Sequence, residues 1–316
     1  MIKNLAIILI SFLLLVSPVL GESYTVDISQ TGVGARPIAL GKAFVGVPDG
    51  SNAIAFNPAS IAFTPHFEIT SMQTKLLDTV EYKMFGSVVS TKIGNIGFNY
   101  VSAVSPAGYE TTDQSSLSNA TPINYESSMM ILSYAMNMRN LIQASNIGYL
   151  SFGVNAKIIN NKLNSSNGGS GSGIDADIGM LLITPKDFNF GICAQNMLGG
   201  EINWDSGNKD IFPALIRFGG SYNWKRAKTL ITCDGVIPLE ENHPLTIHAG
   251  VEWTPIEYFS LRAGLDQDAL GTNEVIHNFT YGVGLNYKGL TFDYAYKQKG
   301  VYSDISTHYI SLSYMP

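Results

Sequence analysis

Apolar and polar side chains alternate most regularly in one stretch of the chain: 279-FTYGVGLNYKGLTFDYAYK-297. Every second residue is apolar across positions 279–287 and again across 290–296, with small, polar or charged residues between. Successive side chains of a β-strand point to opposite faces, so this pattern predicts two amphipathic strands joined by a tight turn.

The same alternation recurs along the chain from residue 67 onward. Most segments run to about 10–14 residues, which suits a tilted crossing of a bilayer better than the 5 or 6 residues usual in globular proteins. An even number of strands is typical of single-chain bacterial barrels. We predict about fourteen strands, at residues 67–74, 80–91, 95–104, 122–138, 146–160, 172–184, 187–197, 212–224, 228–238, 244–254, 257–266, 275–288, 289–298 and 305–314.

The connections between these strands alternate in length. The longer ones include 105–121, 161–171, 198–211, 239–243 and 267–274, and the tight ones include 92–94, 185–186, 225–227 and 255–256. Transmembrane barrels have this asymmetry, with short periplasmic turns and longer external loops. The predicted fold class is therefore all-β, a transmembrane antiparallel β-barrel of residues 66–316. A soluble all-β periplasmic protein is the alternative, and it would need another sheet to cover the aromatic stripes.

Composition and the first residues favour an outer-membrane protein. Charged residues are 14% of the chain, against about 25% in soluble domains. The net charge of −6 argues against nucleic acid as a partner. Residues 1–21 resemble a secretory signal, with Lys3 before an apolar run and a small residue, Gly21, at the expected cleavage site. We expect the mature chain to lie in outer-membrane lipid of a Gram-negative bacterium.

Charged residues within the strands predict which face lines the lumen. A basic side chain that faces lipid at the midplane costs about 2–4 kcal/mol, so Arg217 and Arg262 should point inward. The same reasoning places further charges inside: Lys157, Asp175, Asp177, Asp234, Glu252, Asp266 and Asp293. These groups would either hold the interior together through ion pairs and hydrogen bonds or line a selective ligand path.

The segment before the strands has a different character: GARPIALGKAFVGVPDGSNAIAFNPASIA, residues 34–62. It is rich in small residues, and Asn57 followed by Pro58 is a typical start of a short helix. We predict that residues 22–65 form a hatch inside the barrel. The candidate hatch residues are Gly34, Arg36, Phe44, Asn57, Pro58 and Ala59.

This block resembles the N-terminal segment of FadL-like outer-membrane proteins, in particular the PorV/PorQ branch. Later pieces are similar to the same branch: GVNAKIIN at 153–160, GIDADIGML at 173–181, FNFGICAQNML at 188–198 and FDYAY at 292–296. Two features depart from it, Lys42 in place of a frequent glycine and a chain that ends Tyr314-Met315-Pro316. The resemblance implies a fourteen-stranded barrel with a lumenal hatch. FadL relatives imply uptake of hydrophobic molecules such as long-chain fatty acids, and PorV relatives imply service to type IX secretion.

Catalytic and metal-binding patterns are weak. The glycines at 32–41 lack the Lys-Ser/Thr of a phosphate-binding loop, no GxSxG elbow is present, and the histidines lack metal-ligand spacing. Asp175 and Asp177 share a strand face, but pairing with lumenal Arg or Lys suits them better than Ca²⁺. Cys193 and Cys233 differ in phase and are expected on different sides of the wall. We therefore expect no enzyme activity, cofactor or metal.

Two functions follow from the pattern. In the first, the barrel passes or holds a hydrophobic small molecule, such as a long-chain fatty acid, and the hatch moves to open a path. In the second, the barrel transports nothing and belongs to type IX secretion, binding exported proteins or secretion machinery through the loops at 105–121 and 161–171.

Overall fold

The computed structural model describes residues 28–105, 108–110, 121–138, 148–165, 168–240, 243–270, 274–298 and 306–316. The expected signal peptide, residues 1–21, lies outside this range, as does most of the loop at 105–121. No helix among the described residues combines the length and apolar character needed to cross a membrane.

Fourteen antiparallel strands form a closed barrel, as the alternation predicts. They are β1 (Phe67–Leu76), β2 (Val80–Thr91), β3 (Gly94–Ser105), β4 (Asn124–Asn137), β5 (Tyr149–Asn164), β6 (Gly169–Ile183), β7 (Phe188–Gln195), β8 (Leu215–Trp224), β9 (Thr229–Pro238), β10 (Thr246–Ile256), β11 (Phe259–Leu270), β12 (Glu274–Tyr287), β13 (Leu290–Lys297) and β14 (Thr307–Tyr314). Each pairs with its neighbour in sequence, and β14 pairs with β1 from Ile69 opposite Tyr314 to Thr74 opposite Tyr309. Pairing with the first strand leaves the wall without a free edge.

Small elements complete the described chain. Two hairpins lie in the longer loops, Tyr109–Glu110 with Thr121–Pro122 and Glu201–Trp204 with Lys209–Ile211, and the second extends the sheet beyond β6. The helical elements are α1 (Ala35–Ala39) and the short 3-10 helices Ile28–Thr31, Ser51–Ala53, Pro58–Phe63 and Lys225–Ala227.

The two faces of the wall differ in exposure as the alternation at 279–297 predicts. Phe279 is 52% exposed and Tyr281 is 50% exposed, whereas Thr280 between them is fully buried. Aromatic residues gather near one end of the barrel, where Trp224, Trp253, Tyr287 and Tyr314 are all exposed. This is also the end of the tight turns at 92–93, 184–187, 225–228, 257–258 and 288–289, and we call it the short-turn end.

Some predicted loops are strand instead. β5 continues to Asn164 and β6 begins at Gly169, so most of the predicted loop at 161–171 belongs to a hairpin. β11 likewise runs to Leu270, within the predicted loop at 267–274. These strand ends extend past the apolar band, so their outer face carries polar residues. The alternation of apolar and polar residues therefore stops before the hydrogen-bonded strand pairing does.

Residues 28–64, the N-terminal segment, occupy the space that the strands enclose. Its contacts reach opposite sides of the barrel: α1 packs on β11 to β14, and Pro58–Phe63 packs on β3 to β6. Its apolar side chains are buried, including Ile38, Leu40, Phe44, Ile54 and Ile61. The core of the molecule is therefore the interface between this segment and the inner wall.

Candidate functional site: the N-terminal segment and the charged wall

Glycines of the inner wall let the backbone of the N-terminal segment approach closely. A Cβ at Gly250 would lie 2.5 Å from the Leu40 carbonyl oxygen, and one at Gly264 would lie 2.3 Å from the Gly41 nitrogen. A Cβ at Gly282 would meet the Ala39 side chain at 2.4 Å. Any side chain at these three positions would occupy space that the segment fills.

The same arrangement recurs across the barrel. A Cβ at Gly191 would lie 2.1 Å from the Val45 carbonyl oxygen, and one at Gly153 would lie 2.4 Å from the Ala59 nitrogen. Within the segment, Gly34 has φ +86°, and a Cβ there would collide with the Asn52 side chain at 2.2 Å. Glycine therefore serves on both sides of this interface, for close approach on the wall and for a left-handed backbone in the segment.

Asn57 ties the segment to the wall while it caps the turn Pro58–Phe63. Its Oδ1 accepts from the Ala59 N–H at 3.1 Å, with Pro58 at the first helical position. Its Nδ2 donates to the carbonyl oxygens of Val45 at 3.0 Å and of Met180, on β6, at 2.9 Å. The residue is fully buried, so each of these bonds satisfies a group that water does not reach.

Arg36 lies at the centre of a chain of ion pairs at the short-turn end. Its Nε and Nη2 donate to Glu252 at 2.8 and 2.7 Å, and its Nη1 donates to Asp49. Glu252 also accepts from Arg262 at 2.5 Å, and Arg262 pairs with Asp293 at 2.6 Å. Burial by itself would lower the pKa of the Arg36 guanidinium, but the carboxylates of Glu252 and Asp49 outweigh it and hold that pKa well above its ordinary value.

A second charged cluster holds Lys42. Its Nζ lies 3.2 Å from both Asp266 and Asp268, and Lys297 lies 2.6 Å from each of the same two carboxylates. His248 contacts Asp266 through Nδ1 at 3.1 Å, and the same nitrogen is 2.9 Å from the Gly41 carbonyl oxygen. Lys297 and His248 are absent from the inward charges predicted above. The alternation pattern could have identified both residues, because each follows an apolar residue of the outer face and must therefore point inward.

Backbone amides of the segment are held by a wall carboxylate as well. Asp234 accepts from the N–H groups of Phe44 and Val45, the second at 2.8 Å. The Phe44 ring meets Phe56 edge to face, with 5.6 Å between centroids. Arg217 donates to Gln195 at 2.8 Å, and its guanidinium lies 5.7 Å from the centre of the Phe56 ring.

Lys157, Asp175 and Asp177 are all buried on the inner face. Lys157 forms an ion pair with Asp177 at 2.8 Å. Asp175 was expected to pair with Arg or Lys, but it accepts instead from the backbone N–H groups of Ala176 and Leu198, at 2.7 and 2.9 Å. The loop that follows β7 brings the Leu198 amide inward, a contact that no alternation pattern predicts.

Neither a metal cluster nor a disulfide is seen within the described part of the chain. No group of three or more His, Cys, Asp or Glu residues there could hold a metal ion. Cys193 is buried and Cys233 is exposed, and both are free thiols. The interior is therefore a set of ion pairs and backbone hydrogen bonds that fasten the N-terminal segment to the wall.

Solved structures of similar fold are toluene transporters and a FadL homologue. The chain superposes on the toluene transporter TbuX of Ralstonia pickettii with a TM-score of 0.59 at 14% identity, covering 91% of this chain and 98% of that one. The toluene transporter TodX of Pseudomonas putida gives a TM-score of 0.60 at 12% identity, covering 93% of this chain and 98% of that one. A FadL homologue of Pseudomonas aeruginosa gives a TM-score of 0.57 at 11% identity, covering 93% of this chain and 99% of that one. At such identities the likeness shows the fold alone, a closed β-barrel of the FadL type.

The sequence comparisons assign the family. A comparison with curated proteins finds no match. The model of the family described as type IX secretion system membrane protein PorP/SprF matches residues 116–314, more than half of the chain. This supports the expected link with type IX secretion, whereas the PorV/PorQ branch suggested by the N-terminal motifs is not confirmed. Neither this family nor the three solved structures are described as enzymes. The chain belongs to the PorP/SprF family of type IX secretion system membrane proteins.

Proposed function

We propose that this protein is a sealed outer-membrane barrel that serves type IX secretion by binding secretion machinery or exported proteins, and that its lumen passes no ligand. The observation that carries the proposal is the fixed N-terminal segment. Its backbone touches wall glycines on several strands, and it is bound by two separate ion-pair clusters. In this role, residues 28–64 act as a permanent hatch, and the inner charges hold it closed.

The energetics of opening support this role. Breaking a buried ion pair by removing one partner costs about 3–5 kcal/mol. Moving the segment would separate Arg36 from Glu252 and Lys42 from Asp266, and it would also strip the hydrogen bonds of Asn57. A motion that breaks all of these together would be too rare to support steady transport.

A disulfide between segment and wall tests the proposal. The Ala35 nitrogen lies 2.7 Å from the Ser311 hydroxyl oxygen of β14, so the pair Ala35→Cys and Ser311→Cys is suited to a lock. Cys193 and Cys233 would be replaced by alanine in the same protein, and mass spectrometry would establish that the bond has formed. We expect the locked barrel to restore secretion in a deletion strain as well as the unlocked parent does. Loss of secretion that returns on reduction would overturn the proposal, and the two single-cysteine variants are the controls.

A second candidate function is passage of a hydrophobic small molecule such as a long-chain fatty acid. It is favoured by the fold likeness to the two toluene transporters. The locked variant separates the two functions, since uptake of labelled fatty acid or toluene would stop in the lock if the hatch had to move. We expect no uptake above that of an empty membrane in either state.

A further inference from the structure

A cavity of about 410 Å³ opens at the short-turn end, between the N-terminal segment and strands β10 to β14. We call it the mouth cavity. The lining residues that matter here are Arg36, Asp49, Asn52, Glu68, Glu257 and Arg262. We propose that the mouth cavity receives a lysine or arginine side chain from an extended basic segment of another protein.

Negative charge exceeds positive charge in this cavity, and the positive charges are already engaged. Arg36 is bound by Asp49 and Glu252, and Arg262 is bound by Glu252 and Asp293. Two more carboxylates line the cavity, those of Glu68 and Glu257. Neither has a basic side chain within 4.0 Å among the described residues, and Glu68 accepts only from Ser51, at 3.1 and 2.8 Å. The cavity therefore has unneutralised acceptors.

The Glu68 carboxylate shows where a donor is missing. Its side chain is buried and lines the mouth cavity. Only its Oε1 accepts a hydrogen bond, from Ser51, so Oε2 has no hydrogen-bond partner within the described ranges. A buried acceptor without a partner costs about 1–3 kcal/mol, which an incoming N–H donor would recover. The ligand should therefore carry N–H groups as well as positive charge, as guanidinium and ammonium groups do.

A metal ion fits these groups less well than an organic cation. Ca²⁺ needs six to eight oxygen ligands around one point, and the described carboxylates form no cluster of three that could hold a metal. The volume lies at the lower end of the range of small-ligand sites, so it suits one or two side chains rather than a folded domain.

A neighbouring cavity of about 520 Å³ extends the site. It shares Arg36, Glu252 and Glu257 with the mouth cavity, and Val47, Pro48 and Leu230 add apolar surface to its lining. An extended segment can lie across both, with its cation in the first cavity and an apolar neighbour in the second. Since short turns are expected at the periplasmic side, the partner is a periplasmic protein. The partner's place in secretion, though not the chemistry of the cavity, rests on the proposed function.

Peptide binding to the purified full-length barrel in detergent tests the inference. The probe is a fluorescent heptapeptide, Gly-Ser-Leu-Arg-Leu-Ser-Gly, and its counterpart with glutamine in place of arginine is the matched control. We expect anisotropy to show saturable binding of the arginine peptide that weakens with salt, and at least fivefold weaker binding of the glutamine peptide. Equal binding of the two would overturn the proposal. Argininamide alone competing as well as the peptide would overturn the extended-segment part, because a free cation would then suffice.

Two variants locate the site. Glu257→Gln removes an exposed charge and should weaken binding about two- to fivefold, as for other exposed pairs. Glu68→Gln keeps an acceptor for Ser51 and should weaken binding more, since Glu68 is buried. Glu81→Gln makes the same charge change on an exposed residue of β2 at the opposite end and should leave binding unchanged. If Glu81→Gln weakens binding as much as Glu257→Gln does, the site is not the mouth cavity.

Failure of the peptide assay and failure of the disulfide-locked barrel to secrete would overturn different proposals. The peptide measurement requires no secretion, so its failure removes the mouth cavity as a cation site and leaves the sealed barrel intact. Failure of the locked barrel to secrete would overturn the sealed state without touching the peptide result.

Discussion

Gly264→Ala would test the contact between wall and N-terminal segment most directly. The added Cβ would lie 2.3 Å from the Gly41 nitrogen and 2.5 Å from the Leu40 carbonyl carbon, whereas carbon contacts normally lie at about 3.5–4.0 Å. The segment would have to move by more than about 1 Å. The contact is tight from the other partner as well, since a Cβ at Gly41 would lie 2.2 Å from the carbonyl oxygen of Leu265, the residue after Gly264. Overpacking of this kind costs about 1–3 kcal/mol, and we expect that loss in the free energy of unfolding.

The matched control for this variant is Gly169→Ala. Its added Cβ would meet only the Asp205 Cβ, at 4.0 Å, and Gly169 does not have a positive φ. We expect its unfolding free energy to stay within about 0.5 kcal/mol of the parent. Urea unfolding in detergent, followed by the fluorescence of the three tryptophans, measures both variants. Trypsin cleavage after Lys42 is a second measure, since a displaced segment would expose that lysine. If both variants matched the parent in stability and in cleavage, the backbone contact described here would be refuted.

Three further outcomes are expected from the same contacts. Glu252→Ala should lower the free energy of unfolding by about 3–5 kcal/mol, because it leaves the buried Arg262 and the partly buried Arg36 each short of a partner, and urea titration checks this. Asn57→Ala should cost about 2–3 kcal/mol through the lost cap and two orphaned carbonyl oxygens. Asn57→Asp keeps the cap oxygen but buries a carboxyl group against those two carbonyl oxygens, so it should cost more than Asn57→Ala in the same titration. A membrane-permeant maleimide should label Cys233 in the folded barrel and Cys193 only after denaturation, and equal labelling of both thiols would contradict their placement.

The strands of the wall could be predicted from the sequence because contact with lipid restricts the polarity of each outward residue by itself. A strand in a bilayer must place apolar groups on one face, and that requirement appears as alternation wherever the outer face meets lipid. Beyond the apolar band the rule no longer applies, and the strand ends at Asn164 and Leu270 were therefore predicted as loop. The family was only partly predicted, because the family model matches residues 116–314, whereas the N-terminal motif that suggested the PorV/PorQ branch lies before them.

The interior pairings depend on distances across the barrel. Phase alone places Arg262 and Glu252 inside, but it does not say that Arg36 joins them, because Arg36 and Glu252 are far apart in sequence and meet only when the barrel closes around the segment. The same holds for Asp175, which turns to backbone amides instead of a cation. By itself the sequence determined the fold class, the approximate strand count and the faces of most strands. Only the tertiary structure decided which charges meet, which glycines face the N-terminal segment and where acceptors remain unmatched, since those contacts depend on the position of every strand at once.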